Sequence, residues 1–111
     1  MHVKFDDLGR FADPSVLILT SLSDGPKHGY AIMTDVAAFS EVRMEPGTLY
    51  GALSRLEKRG WIQGRWVEKG GQRRRRYYRL TAQGRKILAA QRRGWQTFVE
   101  AISRITGVEN A

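Results

Sequence analysis

Pro46-Gly47-Thr48-Leu49-Tyr50-Gly51-Ala52-Leu53-Ser54-Arg55-Leu56-Glu57-Lys58-Arg59-Gly60 is the stretch whose reading decides the fold. Proline at the first helical position presets φ, and the N–H it lacks would have been unsatisfied there anyway. Leu49, Ala52, Leu53 and Leu56 then recur at i, i+3, i+4 and i+7, one face of an α-helix. Gly60 ends it. Opposite the leucines lie Gly47, Gly51, Ser54 and Lys58, flanked by Thr48, Tyr50 and Arg55. Small and hydrogen-bonding side chains on an exposed face let a helix backbone approach another surface closely. The major groove of B-DNA, about 12 Å wide, admits one helix. The competing reading is a plain solvated face, and the residues that follow weigh against it.

After Gly60 the period changes. Residues 61–67 and 74–80 are runs of β-formers joined by Glu68-Lys69-Gly70-Gly71-Gln72-Arg73, a hairpin signal with glycines at its tip. Thr81 then caps a last helix of about 25 residues, with helical spacing resuming toward Ile87 and Leu88. Upstream, Asp13-Pro14 reads as an N-cap and first helical residue. Val16, Leu17, Leu19 and Leu22 follow on one broad face, and Asp24-Gly25-Pro26 stops the helix. A second helix is predicted over 29–38 with Tyr30, Met33, Val36 and Ala37 as its buried stripe, then a loop over 39–45. Phe5, Leu8 and Phe11 have helical spacing, so residues 1–12 read as a short helix or as an arm that packs on a partner. The sum is mainly α with a small β-hairpin: a winged helix-turn-helix over 13–80, with a long helix over 81–111.

The chain has 111 residues, 19 Lys/Arg and 11 Asp/Glu, a net charge of +8. Ten of those cations lie in one stretch: Arg55, Lys58, Arg59, Arg65, Lys69, Arg73, Arg74, Arg75, Arg76 and Arg79, against only Glu57 and Glu68. The rest of the chain, with nine residues of each sign, is neutral. A positive surface on a neutral body is what a nucleic-acid contact requires. Thr48, Tyr50, Ser54, Arg55 and Lys58 are the candidates on the helix; Lys69, Arg73, Arg74, Arg75 and Arg76 are those on the wing. Successive residues of a strand alternate faces, so about two of the four arginines point toward any one partner. Charged strands also protect sheet edges. Yet four arginines with no acid before the far side of the hairpin repel one another unless a polyanion is near. Phosphate contact is therefore expected from the wing (65–79), with one arginine reaching a minor groove, and sequence reading from the helix over 46–59. An RNA- or ribosome-associated winged helix is the alternative, and a module that binds an acidic protein is another.

Other chemistries find little support. There is no cysteine, the histidines are His2 and His28, and no glycine-rich phosphate loop is present. No metal, cofactor or enzymatic activity is expected. The longest apolar run, Val16-Leu17-Ile18-Leu19, is far short of the roughly 20 residues a membrane span needs, and Asp6, Asp7 and Arg10 interrupt any signal-peptide core. The expected location is cytoplasmic, without a membrane partner.

Three motifs together resemble the PadR-type transcriptional regulators: Gly25-Pro26-Lys27-His28-Gly29-Tyr30-Ala31-Ile32; Gly47-Thr48-Leu49-Tyr50 with Leu53, Leu56-Glu57 and Gly60; and Tyr77-Tyr78-Arg79-Leu80-Thr81 with Gly84-Arg85-Lys86. The resemblance covers residues 13 to 88. It implies dimeric bacterial winged-helix DNA-binding proteins, mostly repressors, associated with the nucleoid and in many cases released from DNA by small molecules. Proline often follows the Leu-Tyr pair in that family, where this chain has Gly51, so the rigidity of the helix is in question. The resemblance also gives His28 a capping or packing role at the start of the second helix, with a phosphate contact as the alternative. With so few residues after Leu80, the chain resembles the short class, in which one C-terminal helix makes the dimer.

The spacing of the last helix agrees. Leu88, Trp95 and Ile102 recur every seven residues, as do Gln91, Phe98 and Ile105, and Val99 widens the stripe. Such a seam can cover the protein's own core, but a helix this long overhangs so small a domain, which points to a homodimer. In some short members, aromatic side chains of the dimer helices line a cavity for flat hydrophobic compounds. By that resemblance Trp95 and Phe98 are candidates to contact a small aromatic or hydrophobic effector, with plain packing as the alternative for Trp95.

Overall fold

The structure, a computed structural model, describes residues 13–107. The expectation for the segment 1–12 lies outside the described residues. The first helix, α1 (Pro14–Ser21), starts where Asp13-Pro14 requires: the Asp13 carboxylate accepts from the Ser15 N–H at 2.8 Å. A 3₁₀ turn over Leu22–Asp24 carries the chain to Gly25, whose φ of 142° only glycine adopts readily. Lys27 closes this corner. Its ammonium reaches Asp24 at 2.5 Å, Asp35 at 3.2 Å and the Ser21 carbonyl, while the Ser21 hydroxyl donates to Asp35 at 2.8 Å.

Lys27 and His28 also form a strand, β1, which the sequence reading missed. Two residues carry no periodicity to read. They are extended because the hairpin provides a partner for them: Lys27 pairs with Tyr78 and His28 with Tyr77. The predicted hairpin is β2 (Ile62–Val67) and β3 (Arg75–Leu80), so the sheet is antiparallel and three-stranded in the order β1-β3-β2.

Helix α2 (Gly29–Ser40) is two residues longer than predicted and ends at Glu41, which takes a left-handed conformation with φ 62°. Its buried stripe differs from the expected one. Ile32 and Val36 enter the core with Met33 half-buried, whereas Tyr30 is 71% exposed. Two residues along a helix turn about 200°, so with Ile32 inward Tyr30 must face out. Helix α3 (Pro46–Lys58) buries the predicted leucine face completely, with Leu49, Ala52, Leu53 and Leu56 all at 0% exposure. It runs unbroken through Gly51, where an added side chain would meet only the Arg55 guanidinium, 3.6 Å away. Leu17, Ile18, Leu19 and Leu22 of the first helical segment complete the core with Ile62, Tyr78, Leu80 and Leu88.

Helix α4 (Ala82–Thr106) is attached through its first turns. The Thr81 hydroxyl accepts from the Gly84 N–H at 3.0 Å and donates to the Gly60 carbonyl at 2.6 Å, joining the end of α3 to the start of α4. Gly84 then passes directly over Trp61. A Cβ there would sit 1.9 Å from the Trp61 carbonyl oxygen, far inside any contact distance. Alanine at 84 would gain about 1 kcal/mol of helix propensity, but overpacking costs about 1–3 kcal/mol and more where the obstacle is backbone. Gly84→Ala should therefore be destabilised by roughly 2 kcal/mol or more, read as a lower urea midpoint. A midpoint equal to or above that of the parent would contradict this close approach.

Candidate nucleic-acid interface

The burial of one face of α3 determines what the other face presents. Thr48, Tyr50, Ser54, Arg55 and Lys58 are all exposed, on the side away from the core. Lys58 and Arg55 lie in the last turn, where cations also complement the helix dipole. Across from this helix stands the wing. Of its arginines, Arg75 and Arg76 are on β3, while Arg73 and Arg74 precede the strand in the connecting loop. Between the start of α2, helix α3 and the wing lies a cleft of about 600 Å³, bordered by His28, Tyr50, Trp66 and Arg73 through Arg76.

The ten cations that cluster in sequence divide among several surfaces. Arg73, Arg74 and Arg75 border the cleft. Arg65, Lys69 and Arg79 line the other side of the sheet with Tyr77. Arg55 and Arg59 flank Trp61 in a separate depression, where Arg59 stacks 5.1 Å from the indole. Arg76 is already engaged: its guanidinium donates to Glu57 of α3 at 2.9 Å, and it lies 5.7 Å from the Trp66 ring centre and 5.8 Å from that of Tyr78. This corrects the expectation that the four arginines have no acid before the far side of the hairpin. Glu57 supplies one, from a helix that sequence distance hides. Among the described residues the ion pairs are those of Lys27 and Arg76, so none of the other nine cations in the cluster is in one.

His28 takes the capping role. Its Nδ1 accepts from the Ala31 N–H at 3.2 Å, starting α2, and its ring meets Tyr77 edge-on at 5.4 Å. Nε2 faces the Arg75 guanidinium at 3.0 Å. Burial, then the Arg75 and Lys69 charges, hold the ring's pKa below its ordinary value.

Trp66, Tyr30 and Glu57 were not among the expected site residues. Trp66 shares a strand face with buried Ile62, so alternation alone assigns it to the core. It is 54% exposed because the hairpin extends past the body of the domain. The usable signal was the pairing of Trp66 with Arg76 across the hairpin, legible only once the register is known.

The profile of the transcriptional regulator PadR-like family matches residues 18–90, from the middle of α1 into α4. The chain belongs to the PadR-like family. A PadR family regulator from Clostridium difficile is 29% identical, with a TM-score of 0.74 over 84% of this chain and 96% of that one. A transcriptional regulator from Clostridium thermocellum is 28% identical, with a TM-score of 0.75 over 93% and 97%. The Bacillus subtilis PadR crystallised with operator DNA shares the fold at 24% identity, with a TM-score of 0.62 over 72% of this chain and 46% of that one. An uncharacterized 37.1 kDa protein of transposon Tn4556 from Streptomyces fradiae is 44% identical over 79 residues; the chain spans 22% of its length.

In this PadR-like chain Leu88, expected in the intermolecular seam, is 4% exposed and fills the protomer's own core. Trp95 and Ile105 are exposed, and Phe98, Val99 and Ile102 are half-buried. The Trp95 and Phe98 rings lie 5.8 Å apart. Beside them a groove of about 560 Å³ runs between α1, the end of α2 and α4, lined by Leu17, Phe39 and Trp95. Among the described residues no helix is long and apolar enough to cross a membrane, and no cluster of three or more His, Asp or Glu could hold a metal.

The lowered His28 pKa gives stability a pH dependence of known sign. As pH falls, the unfolded chain takes up this proton before the folded one, so stability rises with pH through the window just below the ordinary 6.5 and levels off above it. Asparagine keeps a capping acceptor but does not titrate. Urea midpoints of His28→Asn measured across that window should change less with pH than those of the parent. Equal slopes in the two proteins would assign the proton elsewhere.

Proposed function

We propose that this chain is a homodimeric, sequence-specific DNA-binding repressor, in which the helix over 46–59 reads the major groove and the wing over 65–79 grips phosphate. One observation carries the reading: Tyr50, on the exposed face of α3 with Thr48, Ser54 and Lys58, lines one cleft together with Arg73, Arg74 and Arg75 of the wing, none of which is in an ion pair among the described residues. Arg55 and Lys69 extend the positive surface beyond it. Phosphate contacts orient the protein and strengthen binding, while contacts to base edges choose the sequence. Arg76 acts chiefly through its hold on Glu57, keeping the wing at a set distance from the reading helix. The operator complex of the B. subtilis PadR is a precedent for DNA recognition by this fold.

In this reading residues 13–80 form the winged-helix domain and 81–111 the dimerisation helix. Helix α4 has 25 residues, about 37 Å at 1.5 Å each, and only Gly84 and Leu88 of it are buried. The stripe of Trp95, Phe98, Val99, Ile102 and Ile105 then meets its copy across a two-fold axis, and two reading helices face two half-sites of a palindromic operator. The groove beside Trp95 and Phe98 is where a small aromatic or hydrophobic effector would loosen that arrangement. Such a protein works in the bacterial cytoplasm, at the nucleoid.

Two experiments test this. Arg73→Ala combined with Arg75→Ala should weaken binding to every duplex alike and lower the log–log salt slope by roughly 0.9 for each phosphate no longer neutralised. Ser54→Ala should instead change the ranking among operators. Unchanged affinity in the arginine variant would turn the wing to solvent, and single-stranded RNA outcompeting duplex operator would favour an RNA-binding role. In sedimentation, Ile102→Glu should give monomers that remain helical; an intact dimer would move the interface off α4.

A further inference from the structure

Three large aromatic side chains border the cleft between α3 and the wing with most of their surface free: Tyr30 at 71%, Trp66 at 54% and Tyr50 at 52%. None belongs to the core. The Trp66 indole is held upright by its own hairpin. Across the strands from it stands Arg76, tied to Glu57 at 2.9 Å, and the Arg74 guanidinium lies 4.8 Å from the indole centre. Gly64, two residues back on the same strand face, leaves the room this needs, because a Cβ there would fall 2.6–2.8 Å from the Arg76 guanidinium. Gly29 does the same for Tyr50, whose hydroxyl would lie 2.6 Å from a Cβ at that position. Two glycines thus keep open the places of two side chains that line one cleft.

Arg73 and Arg74 bring two guanidinium groups to this cleft, and neither is in an ion pair among the described residues. A duplex displays phosphates and base edges but not base faces. Exposed aromatic faces set among unpaired guanidinium groups fit a nucleotide whose base has left its stack. The cleft, at about 600 Å³, falls within the roughly 300–1,000 Å³ of small-ligand sites, enough for a base with its sugar and phosphate.

We propose that this cleft accepts one unstacked nucleotide of single-stranded DNA, its base against Trp66 and its phosphates on Arg73 and Arg74. This rests on reading the same surface as the duplex-binding face, and adds to it an affinity for strands that a duplex reader alone would lack.

The test uses the full chain and fluorescein-labelled strands of about twelve nucleotides, within the roughly 4–16 that one single-strand site covers. The probes are oligo-dT, an abasic strand of equal length, oligo-rU and a duplex, each followed by anisotropy. Oligo-dT should bind at least about tenfold tighter than the abasic strand, since base stacking on an aromatic ring is worth that much. Trp66→Ala should lose that advantage, weakening oligo-dT about tenfold more than it weakens duplex; Trp66→Phe should retain most of it. Duplex binding with no preference for oligo-dT over the abasic strand overturns the proposal while the regulator reading stands. Failure to bind any duplex removes the reading on which both rest. Equal weakening of oligo-dT and duplex binding in Trp66→Ala also overturns it, as the residue would then serve the wing's structure. Tighter binding of oligo-rU than oligo-dT reassigns the site to RNA. Should Trp66→Ala fail to fold, a protein with Trp61→Phe and Trp95→Phe keeps Trp66 as sole reporter. Oligo-dT must quench its emission and the abasic strand must not; equal quenching by both refutes the stack.

Discussion

Everything else in this molecule depends on the burial of one face of α3. Leu49, Leu53 and Leu56 are fully enclosed by α1, α2 and the sheet, and each leucine so buried contributes roughly 1.5–3 kcal/mol. With that face committed, the helix cannot rotate. Thr48, Tyr50, Ser54 and Lys58 are thereby presented outward at a defined angle, with Tyr50 seated against Gly29. The reading role proposed for α3 needs this division of labour, since side chains that contact a base must stay available until the base arrives.

A second constraint places the wing. The hairpin begins at Trp61, directly after α3 ends, and its returning strand pairs with β1 ahead of α2. The sheet therefore ties the two ends of the helix-turn-helix together. Glu57 and Arg76 add a link part-way along the hairpin. Both side chains are about a third exposed, so the pair adds little to stability. Its effect is geometric: it holds one guanidinium between α3 and the indole of Trp66, while Arg73, Arg74 and Arg75 stay outside any ion pair among the described residues. Conversely, α4 is fastened to the core chiefly through its first turns, by the Thr81 junction, the close pass of Gly84 over Trp61, and Leu88 with Ile87 beside it. Its remaining turns carry apolar residues past the body of the domain, and this supports a partner helix there.

Much of this was legible in the residues alone. The starts of α1, α3 and α4 were marked by Asp13-Pro14, Pro46 and Thr81, because capping is a local matter settled within one turn. The leucine face of α3 was legible because its periodicity is strong. The errors have local causes too. For α2 the phase was misread at Tyr30, since aromatic residues suit either a core or an exposed binding surface. The strand β1 is too short to leave a pattern, and Leu88 fits the heptad spacing of the seam although the protomer's own core claims it.

What the sequence by itself determined was the four helices and the hairpin, their order and a net positive charge concentrated between Arg55 and Arg79. Periodicity and capping are properties of neighbouring residues, and charge can be counted. Only the tertiary structure decided how that charge is shared out. Glu57 reaches Arg76 across 19 residues, and the two faces of the sheet separate Arg74 from Arg65 and Arg79. The pairing register brings Trp66 opposite Arg76, and Gly64 and Gly29 leave room for the side chains of Arg76 and Tyr50. Distances between elements, unlike the elements themselves, are written in no single stretch of chain.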